Sequence, residues 1–282
     1  MSDLVVLTTD APSSTINNLS SMEPIHDDGD GDFNRKSNDE AAKKPKRAIL
    51  VKKKTASSEI AAVATAVTFI APPLLSAAAV EFINIIRETL GLYMEHGARS
   101  TKKVDHFHAC IKNIILKLIH GKPEYDVKLE YNVRATNSSG SKRCDIVVLK
   151  NNIPFIVFPV KIMSSSYMKN KNNSWENLTG ELTHLRWANE NLIIIPINIF
   201  MNKTPLISSN KIKGFDKITF DHIEIYNTLK TKNLAYDVMN YIMVVEHHNN
   251  IGDTYDKVPN IVGFDAKTPF RELSVVLKDL LG

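Results

Sequence analysis

Three groups of side chains in this 282-residue chain are of a type to do chemistry. The first is Asp145 in RCDIVVL and Lys161 in FIVFPVKI, with Glu130 before them and Glu176 and Glu181 in SWENLTGELTHLR after them. Carboxylates and a lysine suit acid–base work, or a hard cation acting on an anionic substrate. The second group is His106, His108 and Cys110 in DHFHAC. Zinc ligands on one helix want a spacing of four, whereas the two histidines stand two apart and point away from each other, so partly exposed helix histidines are expected there. The third is Asp28, Asp30 and Asp32 with Asp39, a carboxylate spacing that resembles a calcium loop. Phe33 occupies the place where that loop needs glycine, so calcium is not expected. The chain contains no GxSxG, GxxxxGK[ST] or GxGxxG, which leaves a nucleophile elbow, NTP hydrolysis and nucleotide cofactors without support.

The elements that must position the first group are legible from 100 onward. Ser100 can cap a helix over about 101–119, with Val104, Phe107, Ile111, Ile114, Ile115 and Ile119 at helical spacing and Gly121 and Pro123 beyond it. Strands are expected over about 125–134 and 142–149 around a turn at 137–140. After Asn151 and Asn152, a third strand over 153–162 is apolar on both faces, as in a sheet covered on both sides. A polar loop over 164–173, a helix over 174–190 and an apolar strand over 192–200 follow. Further on, 218–226 reads as an edge strand, 234–245 as a helix that leaves His247 and His248 at its end, and 269–281 as a final helix.

The first part of the chain has another character. Residues 1–42 carry nine acids against Arg35 and Lys36, a charge of −7, so the remainder carries +11. Residues 1–58, poor in apolar side chains, are expected to be a disordered acidic and basic leader. It ends on Lys43, Lys44, Lys46 and Arg47, a cluster of the kind a nuclear-import receptor binds, and the expected location is therefore the nucleus, with the cytoplasm as alternative. Residues 59–98 form an alanine-rich segment, expected as helices over 58–70 and 74–94 broken at Pro72 and Pro73. Its uncharged stretch 60–80 is long enough to cross a bilayer, yet the prolines at its centre and its alanine content speak for packing or self-association instead. Two cysteines without CxxC spacing point to buried thiols in a reducing compartment.

The order helix, three strands, helix, strand, with an Asp opening the second strand and a Lys ending the third, resembles the PD-(D/E)XK, or restriction-endonuclease-like, nuclease superfamily over about 101–200. The resemblance implies an α/β fold: a three-layer αβββαβ core within a domain over 99–282, with additional C-terminal helices. It also implies a metal-ligand role for Asp145 and a catalytic role for Lys161, with Mg²⁺ as cofactor and DNA or another nucleic acid as partner. The chemistry is that of a cation held by carboxylates, which neutralises the phosphodiester oxygens and acidifies a bound water that the lysine orients. The chain departs from the pattern at Pro159, where the family places the strand acid. Some members supply that carboxylate from the following helix, so Glu176 is the first candidate for the second metal ligand and Glu181 the next, with Glu130 a third. A fold retained for nucleic-acid or protein binding without hydrolysis is one alternative, and a membrane-associated or self-assembling protein that works through residues 60–80 is the other. Lys142, Arg143, Lys169, Lys171 and Arg186 are the expected nucleic-acid contacts, joined by Lys203, Lys211 and Lys213. Tyr131, Tyr167 and Trp175 either stack on bases or pack in the core.

Overall fold

The computed structural model describes residues 75–282. The leader, the basic cluster at 43–47, the helix expected over 58–70 and most of the stretch 60–80 lie outside the described residues. Helix α1 (Ala77–His96) begins where the Ser76 hydroxyl accepts a hydrogen bond from the Ala79 N–H at 3.2 Å. It stops at Gly97, whose φ of 81° is a left-handed conformation that glycine adopts without a Cβ clash. Helix α2 (Lys102–Leu118) follows, burying Phe107, Ile111 and Ile115 along one stripe. Among the described residues no helix is long and apolar enough to cross a membrane.

Strands β1 (Tyr125–Arg134), β2 (Ser141–Lys150) and β3 (Ile153–Phe158) form an antiparallel meander. Asn151 and Asn152, with φ of 52° and 63°, make the two-residue turn whose twist matches the strands on either side. Strand β4 (Val160–Met163) continues β3 beyond Pro159. Helix α3 (Tyr167–Ala188) crosses over, and β5 (Ile193–Ile194) and β6 (Ile197–Met201) return parallel to β3 and β4. Ile156 pairs with Ile193 and Val160 with Ile197, one offset throughout, so Pro159 stands opposite Pro196. Neither proline has an N–H to give. A rung is therefore missing at that level, which divides the strands into two four-stranded ladders, β1-β2-β3-β5 and β4-β6-β9-β10. Hydrogen bonds from Ile195 N–H to Val157 C=O (2.9 Å) and from Ile197 N–H to Pro159 C=O (2.8 Å) carry the sheet across the gap.

A hairpin, β7 (Lys203–Ser208) with β8 (Lys211–Lys217), comes next. Short helices α4 (Phe220–Ile223) and α5 (Thr228–Thr231) follow, separated by a 3-10 turn over Glu224–Asn227. Strand β9 (Met239–Glu246) then runs parallel to β6, β10 (Asn260–Phe264) lies antiparallel at the sheet's far edge, and α6 (Leu273–Leu281) is the last helix. Helices α1, α2 and α6 pack with Ile146, Ile156, Phe158 and Tyr241 on one face. Helix α3 and the short helices pack with Val147, Val157, Phe200 and Ile242 on the other. The fold is mixed α/β.

Four expectations are corrected. Residues 234–245 contain a strand, not a helix: Tyr241 to Val245 is an uninterrupted apolar run that fills both faces of a covered sheet, and such a run mimics helical spacing. His247 and His248 therefore follow a strand, and burial lowers the pKa of His247, which works against the imidazolium expected at a helix end. Residues 218–226 are helical turns, not an edge strand, because Thr219 and His222 cap each other's backbone in a capping box. Finally, α3 begins at Tyr167 instead of near 174, since the buried Tyr167 side chain anchors its first turn while Lys169 and Asn170 face solvent.

Asp237, just before β9, ties α6 to the sheet. It accepts from Arg271 Nη2 at 2.5 Å, from Lys230 Nζ at 3.2 Å and from the Val238 N–H at 2.9 Å. Burial works to raise its pKa, but Arg271, the Val238 N–H and Lys230 together hold it below the ordinary carboxylate value. The folded state thus binds fewer protons there than the unfolded state. The resulting stability is present above the ordinary carboxylate value and is lost as pH falls through the lowered one. Asp237→Asn should cost about 2 kcal/mol at neutral pH in urea unfolding and flatten the acid limb of the stability curve.

Candidate functional site

Lys161 leaves β4 toward α3. Its Nζ lies 3.5 Å from Glu181 Oε2, and Lys142 Nζ lies 3.6 Å from the same oxygen. Glu181 is thereby sandwiched between two ammonium groups with only 9 % of its side chain exposed. Glu176, more exposed, lines the same recess together with Asn137, Lys142, Lys161, Glu181 and His184. Both helix acids reach the recess, but the acid in contact with Lys161 is Glu181. Across the sheet from Lys161 its register partner is Asn198 of β6, and next to that stands Asn240 of β9. Asn198 Nδ2 donates to Asn240 Oδ1 at 2.9 Å, and Asn240 Nδ2 donates to Asn227 Oδ1 at 2.9 Å. The sequence reading missed this row; its signal was an asparagine inside the apolar run INIF.

Asp145 occupies the place where β2 and the β3–β4 strand part. The last pair between them is Ile146 with Phe158, after which Asp145 faces Pro159. Its Oδ2 accepts the Val160 N–H at 2.7 Å, replacing the missing rung with a side chain. On its other side Asp145 stands opposite Glu130 of β1. Glu130 has φ of 50°, a left-handed conformation uncommon for a residue with a Cβ. The effect on the strands is plain. Val127 and Leu129 pack on the α2 side while Tyr131 and Val133 pack on the α3 side, and Ile146 and Cys144 change sides at the same level. A regular strand would keep each of these sets on one face. The inversion leaves the Glu130 and Asp145 carboxylates beside His108 of α2, with potential ligand atoms of all three within 4.8 Å of one another. His108 is 1 % exposed, a correction to the expectation of a partly exposed helix histidine. His106 is half-buried, with Nε2 at 3.1 Å from Glu88 Oε2 and 3.6 Å from Cys110 Sγ.

The structure therefore gathers Lys161, Glu181 and Lys142 beside α3, and Asp145, Glu130 and His108 beside α2. No ion pair joins Asp145 to Lys161. Of the other expected nucleic-acid contacts, Arg143 is held by Glu130 (Nε to Oε2, 2.9 Å), and Arg186 donates to the Glu190 carbonyl at 2.7 Å, its pKa lowered by burial. Lys169 and Lys171, on α3, enter no ion pair among the described residues. Tyr167 is buried against Phe200 at 5.0 Å between ring centres, and Trp175 packs edge-on to Tyr226 at 5.6 Å. Those two rings are core. Lys203 lies over the Phe215 ring at 4.5 Å, and Lys211 and Lys213 lie on β8. Comparison with protein-family models, with curated proteins and with solved structures finds no match.

Cys144 lies between the two groups, and burial pushes its thiol up to about 12. A thiol so poorly ionised is no nucleophile near neutral pH. Ellman's reagent should accordingly leave Cys144 unlabelled in the native protein and react with it on unfolding in guanidinium, with Cys110→Ser isolating the signal.

Proposed function

We propose that this chain is a divalent-metal-dependent phosphodiesterase of restriction-endonuclease-like architecture that acts on DNA. The observation that carries the reading is the place of Asp145, at the parting of the second and third strands of an α2-β1-β2-β3/β4-α3-β5/β6 order, one strand away from Lys161 on β4. When bound, the cation supplies charge neutralisation to the phosphodiester oxygens and acidifies a coordinated water. Asp145 offers a carboxylate to it. Lys161, on the α3 side of the same parting, donates to a phosphate oxygen of the bound strand, and Glu181 holds the Lys161 ammonium in position at 3.5 Å. Glu176 stands further out in the same recess, and Lys142, Lys169 and Lys171 meet the phosphate backbone. The basic cluster Lys43, Lys44, Lys46 and Arg47 directs the chain to the nucleus.

A second reading, binding without hydrolysis, is favoured by Pro159, which puts no acid beside Lys161 on its strand, and by the charge of Glu181 already compensating Lys142 and Lys161. One experiment separates the two. Purified full-length protein with Mg²⁺ should nick supercoiled plasmid, and Asp145→Ala and Lys161→Ala should each abolish nicking; nicking that survives both removes the site. Absence of nicking together with salt-dependent DNA binding supports the second reading. Under either reading Glu181→Gln removes a negative charge from between two lysines, so DNA affinity measured by fluorescence anisotropy should rise several-fold at low salt. Replacing Lys43, Lys44, Lys46 and Arg47 by alanine should move a fluorescent fusion into the cytoplasm; an unchanged distribution counts against nuclear import.

A further inference from the structure

A buried imidazole ordinarily donates from one ring nitrogen and accepts at the other, because an unpaired polar group out of water costs free energy. His108 does neither: at 1 % exposure, both ring nitrogens lack a hydrogen-bond partner. Its Nδ1 is 3.3 Å from Glu130 Oε1 without the alignment of a hydrogen bond, and Asp145 completes the group. Each carboxylate has one oxygen already fixed. Arg143 Nε holds Glu130 Oε2 at 2.9 Å, and the Val160 N–H holds Asp145 Oδ2 at 2.7 Å. Each carboxylate therefore has a second oxygen to offer, and outer donors of this sort orient metal ligands. The left-handed backbone at Glu130, φ 50°, is a local cost retained at the one residue that turns its side chain this way.

We infer that His108, Glu130 and Asp145 form a binding site for one borderline divalent cation of the Zn²⁺ class, taken in preference to Mg²⁺. An imidazole with two carboxylates fits a cation that accepts mixed nitrogen and oxygen donors, whereas Mg²⁺ requires an octahedron of oxygens and keeps most of its waters. Three protein ligands leave a fourth position for water or an anionic oxygen. The separations, up to 4.8 Å, close to tetrahedral ligand spacing through small side-chain rotations. This is not the arrangement dismissed from the spacing of His106, His108 and Cys110, since two of its three ligands come from β1 and β2. The inference goes beyond the proposed phosphodiesterase: it shares Asp145 with that reading, but the site lies on the α2 side of the sheet, whereas Lys161 and Glu181 lie on the α3 side.

Isothermal titration of the full-length, metal-stripped protein with Zn²⁺, and separately with Mg²⁺, tests it. The expected result is one Zn²⁺ per chain, at least about tenfold tighter than Mg²⁺, with that affinity falling at least about tenfold in His108→Asn and in Glu130→Gln. Should His108→Asn fail to fold by circular dichroism, the partly exposed Glu130 decides: Zn²⁺ should raise the melting temperature of the wild type and not of Glu130→Gln. Absence of Zn²⁺ binding by the wild type overturns the inference, as does unchanged affinity in the folded variants. So does loss of the zinc in a His106→Asn/Cys110→Ser variant, which would assign it to that pair instead. Failure here and failure of the phosphodiesterase are distinguishable. Zinc binding that depends on His108 without any nicking leaves the site and removes the activity, while Mg²⁺-dependent nicking by a protein that binds no zinc does the reverse.

Discussion

The sheet depends on how it handles two adjacent prolines. Pro159 and Pro196 stand side by side in neighbouring parallel strands, so neither strand has a backbone donor to give at that level. Parallel strands tolerate such a gap only if the surrounding polar backbone finds partners elsewhere. Here Pro159 still accepts from Ile197 and Val157 from Ile195, while the Val160 N–H turns to the carboxylate of Asp145. Asp145 is thus a structural residue before it is anything else. Its side chain closes the parting between the second and third strands, and that parting is the place to which the neighbouring polar groups converge.

The polar side chains of the domain's interior fall on two sides of that point. Toward α3, Lys161 and Lys142 share Glu181, and the row of Asn198, Asn240 and Asn227 extends the polar ground from the sheet to the short helices. Toward α2, Glu130 and Asp145 form a smaller group around the buried His108. The pair Lys142–Arg143 links the sides, since consecutive residues of a strand face opposite ways. Lys142 goes to Glu181 and Arg143 to Glu130, so one basic dipeptide answers an acid on each face. Of the basic residues that the sequence presents as a positive groove, Lys142 and Arg143 are engaged by acids, whereas Lys169 and Lys171 on α3 enter no ion pair among the described residues.

The first half of the domain was legible because its signals are local. The stripe of α2, the 125–134 strand and the Asn151-Asn152 turn each follow from residues within a few positions of one another. The second half was not, because β9 and its neighbours are defined by burial on two faces, which erases the alternation that marks a strand. The chemistry divides along the same line. Asp145, Lys161 and Glu181 announce themselves by type and position, but the inward turn of His108 and the inversion at Glu130 depend on tertiary packing. A left-handed glutamate inside a strand has no local signature; glycine or asparagine would be the expected residue in that conformation.

That glutamate has a further consequence for the molecule's border. Among the described residues strand β1 is the outermost member of its ladder, and it runs for ten residues, long enough to offer an extended chain a continuous row of backbone donors and acceptors. Because the backbone reverses its handedness halfway along, the row is cut into two short runs that no straight strand can follow, and Asp126 and Lys128 add charge to the first of them. The same kink that brings an acid inward also interrupts the row of backbone groups with which a straight strand would pair along that edge.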